Sequence, residues 1–363
     1  MGNDETKTAG RGNFLQRIFL QRQNSNPPQS PFFKGGGLAF VRALIVGIAW
    51  LPITNHAQEL LRVPYGVTTS LQHLPVLVGK DSGLFAKYGL NVEPIHIRGG
   101  ALITTMIMSG TVQFSGAGAE SVVSARIEGG DVALIACPAD TDVVYFVGRP
   151  EIKTAANLKG KSSAVTRLGS TTHFYLRAAL RSLGLDPEKD MTILQLGGGA
   201  EIVTAMRSGR VAAAALPYRN TYNLIQAGWP LLVDQSTANF IYPSSCVATS
   251  RSFIKNNPAV VERFLRAYVE AIRLIKKDST VVEGSIKKWH RETDAAFIKK
   301  TAEVYAKIFK PIPYVSDQGL EIVIKELSGR RPVSKEFFGK PELFRDHAPL
   351  DKLVKDGWLE RGS

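Results

Sequence analysis

The sequence is short of cysteine and of metal-binding patterns. Of its 363 residues only two are cysteine, Cys137 and Cys246, and neither a CxxC nor an HExxH pattern occurs. This absence excludes a structural zinc site and a thioredoxin-type redox site, so we predict no metal, no cofactor and no catalytic residue. In an oxidising compartment the two cysteines could form a disulfide, but the alternative we favour is two unrelated buried thiols.

Long apolar runs are also scarce, and the one near the N-terminus is short. Residues 1–37 are rich in Asn, Gln, Ser, Pro and Gly, and we expect them to be disordered. Residues 41–58, VRALIVGIAWLPITNHAQ, carry one Arg, an apolar stretch and a small residue, Ala57, before Gln58. That order is typical of a secretory signal peptide, and its apolar core is too short for a membrane span of about 20 residues. We therefore predict export to the periplasm, cleavage near Ala57 and a true start near residue 41.

The sequence has no block of charge of one sign and no nucleic-acid-binding pattern. Its net charge is +13, but the excess lies on the N-terminal extension and on a C-terminal third where both signs alternate, as in RFLRAYVEAIRLIKKD. Such mixed charge is typical of solvated helix faces, so we predict no nucleic-acid partner. The lack of any cysteine before Cys137 excludes a lipid-anchored N-terminus.

The middle of the chain contains a short internal repeat. The segment GGALITTMIMSGTVQF begins at Gly99 and GGAEIVTAMRSGRVAA begins at Gly198, and both keep Gly-Gly-Ala, then Ile, Thr, Ser-Gly and Val. In each copy, apolar residues at i, i+3 and i+4 predict a short helix. Strand-like and helical runs alternate around both copies, which favours mainly parallel, doubly wound sheets. We predict an α/β fold of two lobes, each with one copy of the repeat.

The same pattern places the first lobe at residues 58–147 and 243–363 and the second at residues 148–242. The connections between the lobes would lie near residues 145–149 and 239–245. The run after Pro332 would form a last helix and tail of the first lobe. In doubly wound sheets a ligand binds at the carboxyl ends of the strands, where loops that open helices present unpaired backbone N–H groups. Glycine-containing loops of this kind lie at residues 99–101, 116–118, 169–172 and 197–199, so we predict a ligand cleft between the lobes.

Residues 71–100, LQHLPVLVGKDSGLFAKYGLNVEPIHIRGG, carry a family signature. A strand leads to a polar turn at Gln72 and His73, then to a helix, then to Gly83, Phe85 and the Gly-Leu-Asn-Val of residues 89–92. This segment resembles the opening of the ABC-importer solute-binding proteins for nitrate, sulfonates, taurine and thiamine-pyrimidine precursors. The likeness extends over roughly residues 60–330, although Gln113 stands where the family often has an acidic residue.

The resemblance implies a type II periplasmic-binding-protein fold that closes on its ligand by hinge motion. It implies a monomer that delivers a small molecule, anionic or heteroaromatic with nitrogen or sulfur, to an inner-membrane permease and its ATPase. Such a protein needs no nucleophile, and we predict that it is not an enzyme. The alternatives are a binding lobe coupled to a sensor and an enzyme on the same fold. That enzyme would be a pyrimidine-precursor synthase or a desulfinase, and the cysteine motifs of both are absent here.

Matched loop by loop, the resemblance also implies a set of ligand-binding residues. His73 could be a ligand contact or an ordinary hinge histidine, and Arg167 could pair with an anion or lie solvated. Glu120 could cap its own helix, or face the cleft and favour a ligand with an N–H donor. Two tyrosines could stack on a flat ligand. The full set is Ser70, Gln72, His73, Gly99, Gly100, Ser115, Gly116, Glu120, Arg167, Gly169, Ser170, Thr171, Thr172, Gly198, Gly199, Tyr218 and Tyr242.

Overall fold

The computed structural model describes residues 60–68, 70–97, 101–236 and 241–359, which all belong to the compact unit His56–Ser363. The signal peptide, its cleavage near Ala57 and the start near residue 41 lie outside the described residues, and so do Gly99 and Gly100. Among the helices within the described ranges, none is long and apolar enough to cross a membrane.

The described residues contain strands and helices in alternation. The strands are β1 Leu61–Val67, β2 Leu90–His96, β3 Phe114–Ala117, β4 Ala133–Ala136, β5 Val144–Gly148, β6 Lys161–Val165, β7 Met191–Gln195, β8 Ala213–Pro217, β9 Leu231–Asp234 and β10 Cys246–Thr249. The α-helices are α1 Leu74–Asp81, α2 Leu84–Lys87, α3 Ala101–Met108, α4 Ala119–Ile127, α5 Thr171–Ser182, α6 Gly199–Arg207, α7 Tyr218–Gln226, α8 Arg251–Asn256, α9 Pro258–Lys277, α10 Thr280–His290, α11 Ala295–Ile308, α12 Asp317–Ser328 and α13 Ala348–Lys355. Short 3-10 helices cover Leu71–His73, Ala155–Leu158, Lys335–Phe337 and Pro341–Leu343.

The first sheet has the strand order β2-β1-β3-β10-β4. Strand β1 pairs in parallel with β2 and β3, whereas β10 is antiparallel to both of its neighbours, β3 and β4. All residues of β3, β4 and β10 are buried, as expected for strands covered by helices on both faces. We call this sheet, with the helices packed on it, the first lobe.

The second sheet repeats that arrangement with the order β7-β6-β8-β5-β9. Strand β6 is parallel to β7 and β8, and β5 is antiparallel to β8 and β9. We call this sheet, with α5, α6 and α7, the second lobe. The prediction of an α/β fold with two mainly parallel sheets is confirmed. The second sheet already begins at Val144, so the first connection precedes β5, and the lobe boundaries at 147 and 243 stay predictions.

The helix expected after β1 is interrupted. The sequence predicts one helix over residues 75–89, but the structure has two, α1 and α2, with Ser82 and Gly83 between them. Gly83 has φ of +71°, a left-handed conformation that residues with a Cβ rarely adopt. The break turns α2 so that Phe85 packs into the core of the first lobe, where its ring lies 5.2 Å from that of Phe264.

The longest helix of the described chain begins as its sequence predicts. Pro258 occupies the first turn of α9, directly after Asn257, because proline's missing N–H costs nothing there. The Asn257 side chain, however, makes no capping hydrogen bond. The apolar stripe predicted for this helix is buried against the first sheet; its members are Val261, Phe264, Leu265, Tyr268 and Ile272.

The two cysteines form a disulfide, contrary to the expectation of two unrelated thiols. Cys137 follows β4 and Cys246 opens β10, and these two strands are antiparallel neighbours in the first sheet. Register therefore places the two residues side by side, although 109 positions separate them in sequence. Sequence distance alone could not reveal this, because the pairing depends on β10 returning to the first sheet after the second lobe.

Candidate functional site

A cleft of about 240 Å³, lined by both polar and apolar residues, lies between the two sheets. Its walls come from the ends of strands and the starts of helices of both lobes, together with the two connections. This is where a doubly wound fold binds ligands, because loops at the carboxyl ends of strands leave backbone groups and short polar side chains unpacked.

The second-lobe wall is built around the N-terminus of α5. Thr166, directly after β6, and Ser170 and Thr172, at the start of α5, bring three hydroxyl oxygens within 3.1 Å of one another. The Thr172 hydroxyl accepts from the Thr166 amide at 3.0 Å, and the Ser170 hydroxyl donates to the Arg167 carbonyl at 2.7 Å. Since the first amides of a helix have no intrahelical partner, hydroxyl and amide donors point to the same space.

The start of α6 forms the adjoining part of this wall. Gly197 has φ of +93°, so the turn into α6 needs a glycine. A Cβ on Gly199 would lie 2.7 Å from the Asn220 side chain, and one on Gly198 would strike the Glu201 carboxylate. The loop is therefore lined by bare backbone, with Asn220 and Glu201 close beside it in the cleft.

The first-lobe wall and the connections supply the remaining lining. Thr68 and Ser70 follow β1, His96 ends β2, and Gly116 and Gly118 stand at the end of β3. The connections contribute Asp142, Ser244 and Ser245.

Asp142 is a buried carboxylate at the junction of the two lobes. It accepts hydrogen bonds from the Val143 amide at 2.8 Å and from the Tyr305 and Ser244 hydroxyls at 3.1 and 3.3 Å. Burial raises the pKa of Asp142 to about 6 even though these donors oppose the shift. The cleft thus presents an acceptor at the junction as well as donors at α5.

Seven of the predicted binding residues line the cleft. They are Ser70, Gly116, Ser170, Thr171, Thr172, Gly198 and Gly199.

Three predicted residues lie behind the first-lobe wall instead: Gln72, His73 and Ser115. Their side chains make hydrogen bonds within the protein and do not face the cleft. The Gln72 amide donates to the Thr141 carbonyl at 2.6 Å, and the Ser115 hydroxyl donates to the Gly66 carbonyl at 2.7 Å. His73 Nε2 accepts from the Thr68 amide at 3.0 Å. Burial lowers the pKa of His73 to about 3, so its imidazole is neutral and shapes the wall through Thr68.

Glu120 takes neither of its two predicted roles. It makes no capping bond for α4 and does not line the cleft. Its side chain is 1% exposed and pairs with Arg330, the second residue after α12. Desolvation raises the pKa of Glu120, and the charge of Arg330 opposes that shift. The orientation of the Glu120 side chain therefore depends on the packing of α4 against α12, which are distant in sequence.

The two predicted stacking tyrosines contact protein rings across the lobes. Tyr242, in the second connection, is fully buried and stacks on Phe174 of α5 at 4.0 Å. Tyr218 of α7 stacks on Phe297 of α11 at 5.2 Å. Neither lines the cleft, so both tyrosines pack one lobe against the other.

Gly169 and Arg167 support the α5 wall from outside it. Gly169 has φ of +74° and its amide donates to His173 Nδ1 at 3.0 Å, which fixes the turn into α5. Arg167 is half-buried and contributes its carbonyl to Ser170.

Several lining residues were missed by the sequence prediction. Thr68 directly follows β1 and Thr166 directly follows β6, at positions the strand-end rule points to. Asp142, Ser244 and Ser245 belong to the connections, and Glu201 and Asn220 reach in from the first turns of α6 and α7. No local pattern identifies these last five, because the lobes must be assembled before they meet.

Two α/β lobes joined by two connections over a cleft define the class of the periplasmic-binding-protein fold. The chain belongs to the NMT1/THI5 like family, whose model matches residues 70–279.

Relatives and solved structures agree with this assignment. YtlA of Bacillus subtilis is 24% identical over 306 residues, covering 81% of this chain and 87% of that protein. The nitrate-binding protein NrtA from Synechocystis PCC 6803 superposes with a TM-score of 0.71 at 13% identity, covering 82% of this chain and 89% of that one. The alkanesulfonate-binding protein SsuA from Xanthomonas axonopodis pv. citri, bound to MOPS, gives 0.61 at 18% identity, covering 81% and 97%.

The fold also occurs in a protein crystallised with a sulfinic acid. A DSZB mutant in complex with biphenyl-2-sulfinic acid superposes with a TM-score of 0.59 at 15% identity, covering 81% of this chain and 99% of that one. At these identities the likeness to solved structures concerns the fold, and function must be argued from the site.

Proposed function

We propose that the protein is the exported, periplasmic solute-binding component of an ABC importer. It captures a small molecule in the cleft by hinge closure and delivers it to a membrane permease and its ATPase. The observation that carries the proposal is the hydroxyl cluster at the start of α5, which lines the cleft together with bare backbone at Gly116 and Gly118 of the other lobe.

The α5 wall suits an acceptor-rich group such as an oxoanion. Helix N-termini attract negative charge through their unpaired amides and partial positive charge, and Thr166, Ser170 and Thr172 add hydroxyl donors that can rotate. Family membership and the sulfonate- and nitrate-binding neighbours support the same ligand chemistry.

Other parts of the cleft offer hydrogen-bond acceptors instead of donors. Asp142 and Glu201 are acceptors when ionised, and a ligand with N–H groups would complement them. The proposed ligand class is therefore a small molecule that is anionic or a nitrogen- or sulfur-containing heteroaromatic.

Catalysis is not part of the proposal. A desulfinase or pyrimidine-precursor synthase of the predicted kind needs a free thiolate, and thiolates are the nucleophilic form of cysteine. The chain has two cysteines, and they are bonded to each other. The hydroxyl and amide donors that the described residues bring to the cleft are what binding requires.

The test is a thermal-unfolding screen of the purified chain with alkanesulfonates, taurine, nitrate, aromatic carboxylates and aminopyrimidines. A ligand at 100 times its dissociation constant stabilises a folded protein by about 2.7 kcal/mol, which shifts the melting temperature by several degrees. We expect one class to do this, and Ser170→Ala to weaken the shift.

Ser182→Ala is the matched control, since Ser182 ends the same helix and its hydroxyl donates to the Ala179 carbonyl away from the cleft. The control should keep the shift of the unmodified chain. A folded protein that responds to nothing in the panel, or equal losses in both variants, would contradict the proposed ligand chemistry.

A further inference from the structure

Helix α5 is held at two places by the first lobe although it packs on the second sheet. Its first turn contributes Thr171 and Thr172 to the cleft. Two turns further on, Arg177 is buried with only 1% of its side chain exposed. A buried guanidinium is retained only where it is paired, so its partners show what the helix is fastened to.

One partner, Glu188, belongs to the second lobe itself, and the other, Glu326, lies on α12 of the first lobe. Arg177 Nε donates to Glu326 Oε1 at 2.7 Å, and Arg181 pairs with the other oxygen of the same carboxylate. Burial alone would raise the pKa of Glu326, but hydrogen bonds from the two guanidinium groups bring it below its ordinary value. The carboxylate is therefore ionised and shared between two arginines of the opposite lobe.

A second ion pair continues the connection from α12 to α4. Arg330, just beyond the C-terminal end of α12, pairs with Glu120, whose side chain is 1% exposed. Glu120 lies in the first turn of α4, and its amide donates to the Tyr242 hydroxyl at 3.4 Å.

The connection returns to α5 at the cleft. The Tyr242 hydroxyl and the Thr171 hydroxyl both lie against Gly118. A Cβ on Gly118, directly before α4, would strike the Thr171 hydroxyl and lie 2.9 Å from that of Tyr242. The contacts thus form a closed ring through α5, α12 and α4 that begins and ends on α5.

We infer that Arg177, Arg181 and Glu326 are positioning residues: the Glu326 carboxylate, shared by the two arginines, clasps the second lobe to the first and sets where the first turn of α5 stands in the cleft. The inference rests on the proposed function only in taking that turn as a ligand contact. The clasp itself is a property of the ligand-free protein, and its test needs no ligand.

The experiment measures the distance between the lobes by pulsed dipolar spectroscopy. Spin labels go on Lys153→Cys in the second lobe and Lys299→Cys on α11, both exposed positions. The natural cysteines, bonded to each other, stay unlabelled. With Glu326→Gln we expect the distance distribution to broaden and to shift to longer distances.

Asp317→Asn is the matched control on the same helix. Asp317 also pairs with an arginine, Arg345, at 2.8 Å between Oδ2 and Nη2, but both residues belong to the first lobe. Its distribution should overlay that of the unmodified labelled protein. An unchanged distribution in Glu326→Gln, or the same change in Asp317→Asn, would overturn the clasp.

If Glu326→Gln fails to fold, Arg181→Gln replaces it, because Arg181 is the more exposed of the two partners. A smaller shift in the same direction is then expected, and no shift overturns the inference. Failure of the proposed function would show instead as a silent ligand screen with the distance result intact.

Discussion

At the scale of single residues, His73 belongs to the family signature but supports the residues that line the cleft and does not line it itself. Its ring lies against Gly116, where an added Cβ would overlap the imidazole, and its Nε2 accepts from the amide of Thr68. Gly116 and Thr68 line the cleft, whereas His73 does not. The imidazole therefore acts on the cleft through its neighbours.

His73 should make the folded state sensitive to acid. Its pKa is lowered to about 3 by burial, against about 6.5 in an unfolded chain. Between about pH 6.5 and pH 3 the His73 imidazole is protonated in the unfolded state but stays neutral in the folded state. Its contribution to stability is therefore complete above pH 6.5 and decreases as the pH falls to about 3. The slope for one group is about 1.4 kcal/mol per pH unit. Urea unfolding between pH 7 and 4 should show a steeper loss for the unmodified chain than for His73→Gln, and parallel profiles would refute the assignment.

At the scale of elements, two exposed glycines, one at the break between α1 and α2 and one inside α10, should respond to alanine substitution with opposite changes in the free energy of unfolding. Gly83 is exposed, has φ of +71° and has open space around it, so Gly83→Ala should destabilise by about 1 kcal/mol through backbone strain alone. Gly284 is exposed in the interior of α10, also with open space around its Cα, and Gly284→Ala should stabilise by roughly 0.5–1 kcal/mol. Urea unfolding of both variants measures the two effects, and equal signs would contradict this account.

Helices and strands could be predicted where the sequence pattern that determines them is local. The distant elements that they pack against could not. The repeat at Gly198 predicts α6 because apolar spacing and a glycine turn both act within ten or so residues. The same local reasoning placed Ser170, Thr171 and Thr172 at the cleft, since helix starts face it. It failed for Tyr218 and Tyr242, whose surroundings are Phe297 and Phe174 of distant elements. The residue type indicates that a tyrosine will be partly buried. Which side chains it packs against depends on how the two lobes are assembled.

At the scale of the whole molecule, the first lobe is completed only after the chain has passed through the second. Strand β10 lies between β3 and β4 in the first sheet and is antiparallel to both, yet the chain reaches it only after completing the second sheet. The disulfide between Cys137 and Cys246 closes a loop of 109 positions that contains all of β5 to β9. Because both cysteines lie on the first sheet, the bond fastens the two connections where they leave that lobe.

That bond should stabilise the molecule chiefly by restricting the unfolded chain. In the loop-entropy treatment a closed loop of about 100 residues contributes about 4.7 kcal/mol. Reduction before urea unfolding should therefore lower the free energy of unfolding by a few kcal/mol, and the double variant Cys137→Ala, Cys246→Ala should be equally weakened and indifferent to reductant. Backbone pairing sets the register of β4 and β10, so we expect circular dichroism to show that the α/β fold persists in both. If the oxidised and reduced chains unfold at the same urea concentration, the unfolded state is already compact enough to hold these two strands together, and the bond contributes only to the native connection between the lobes.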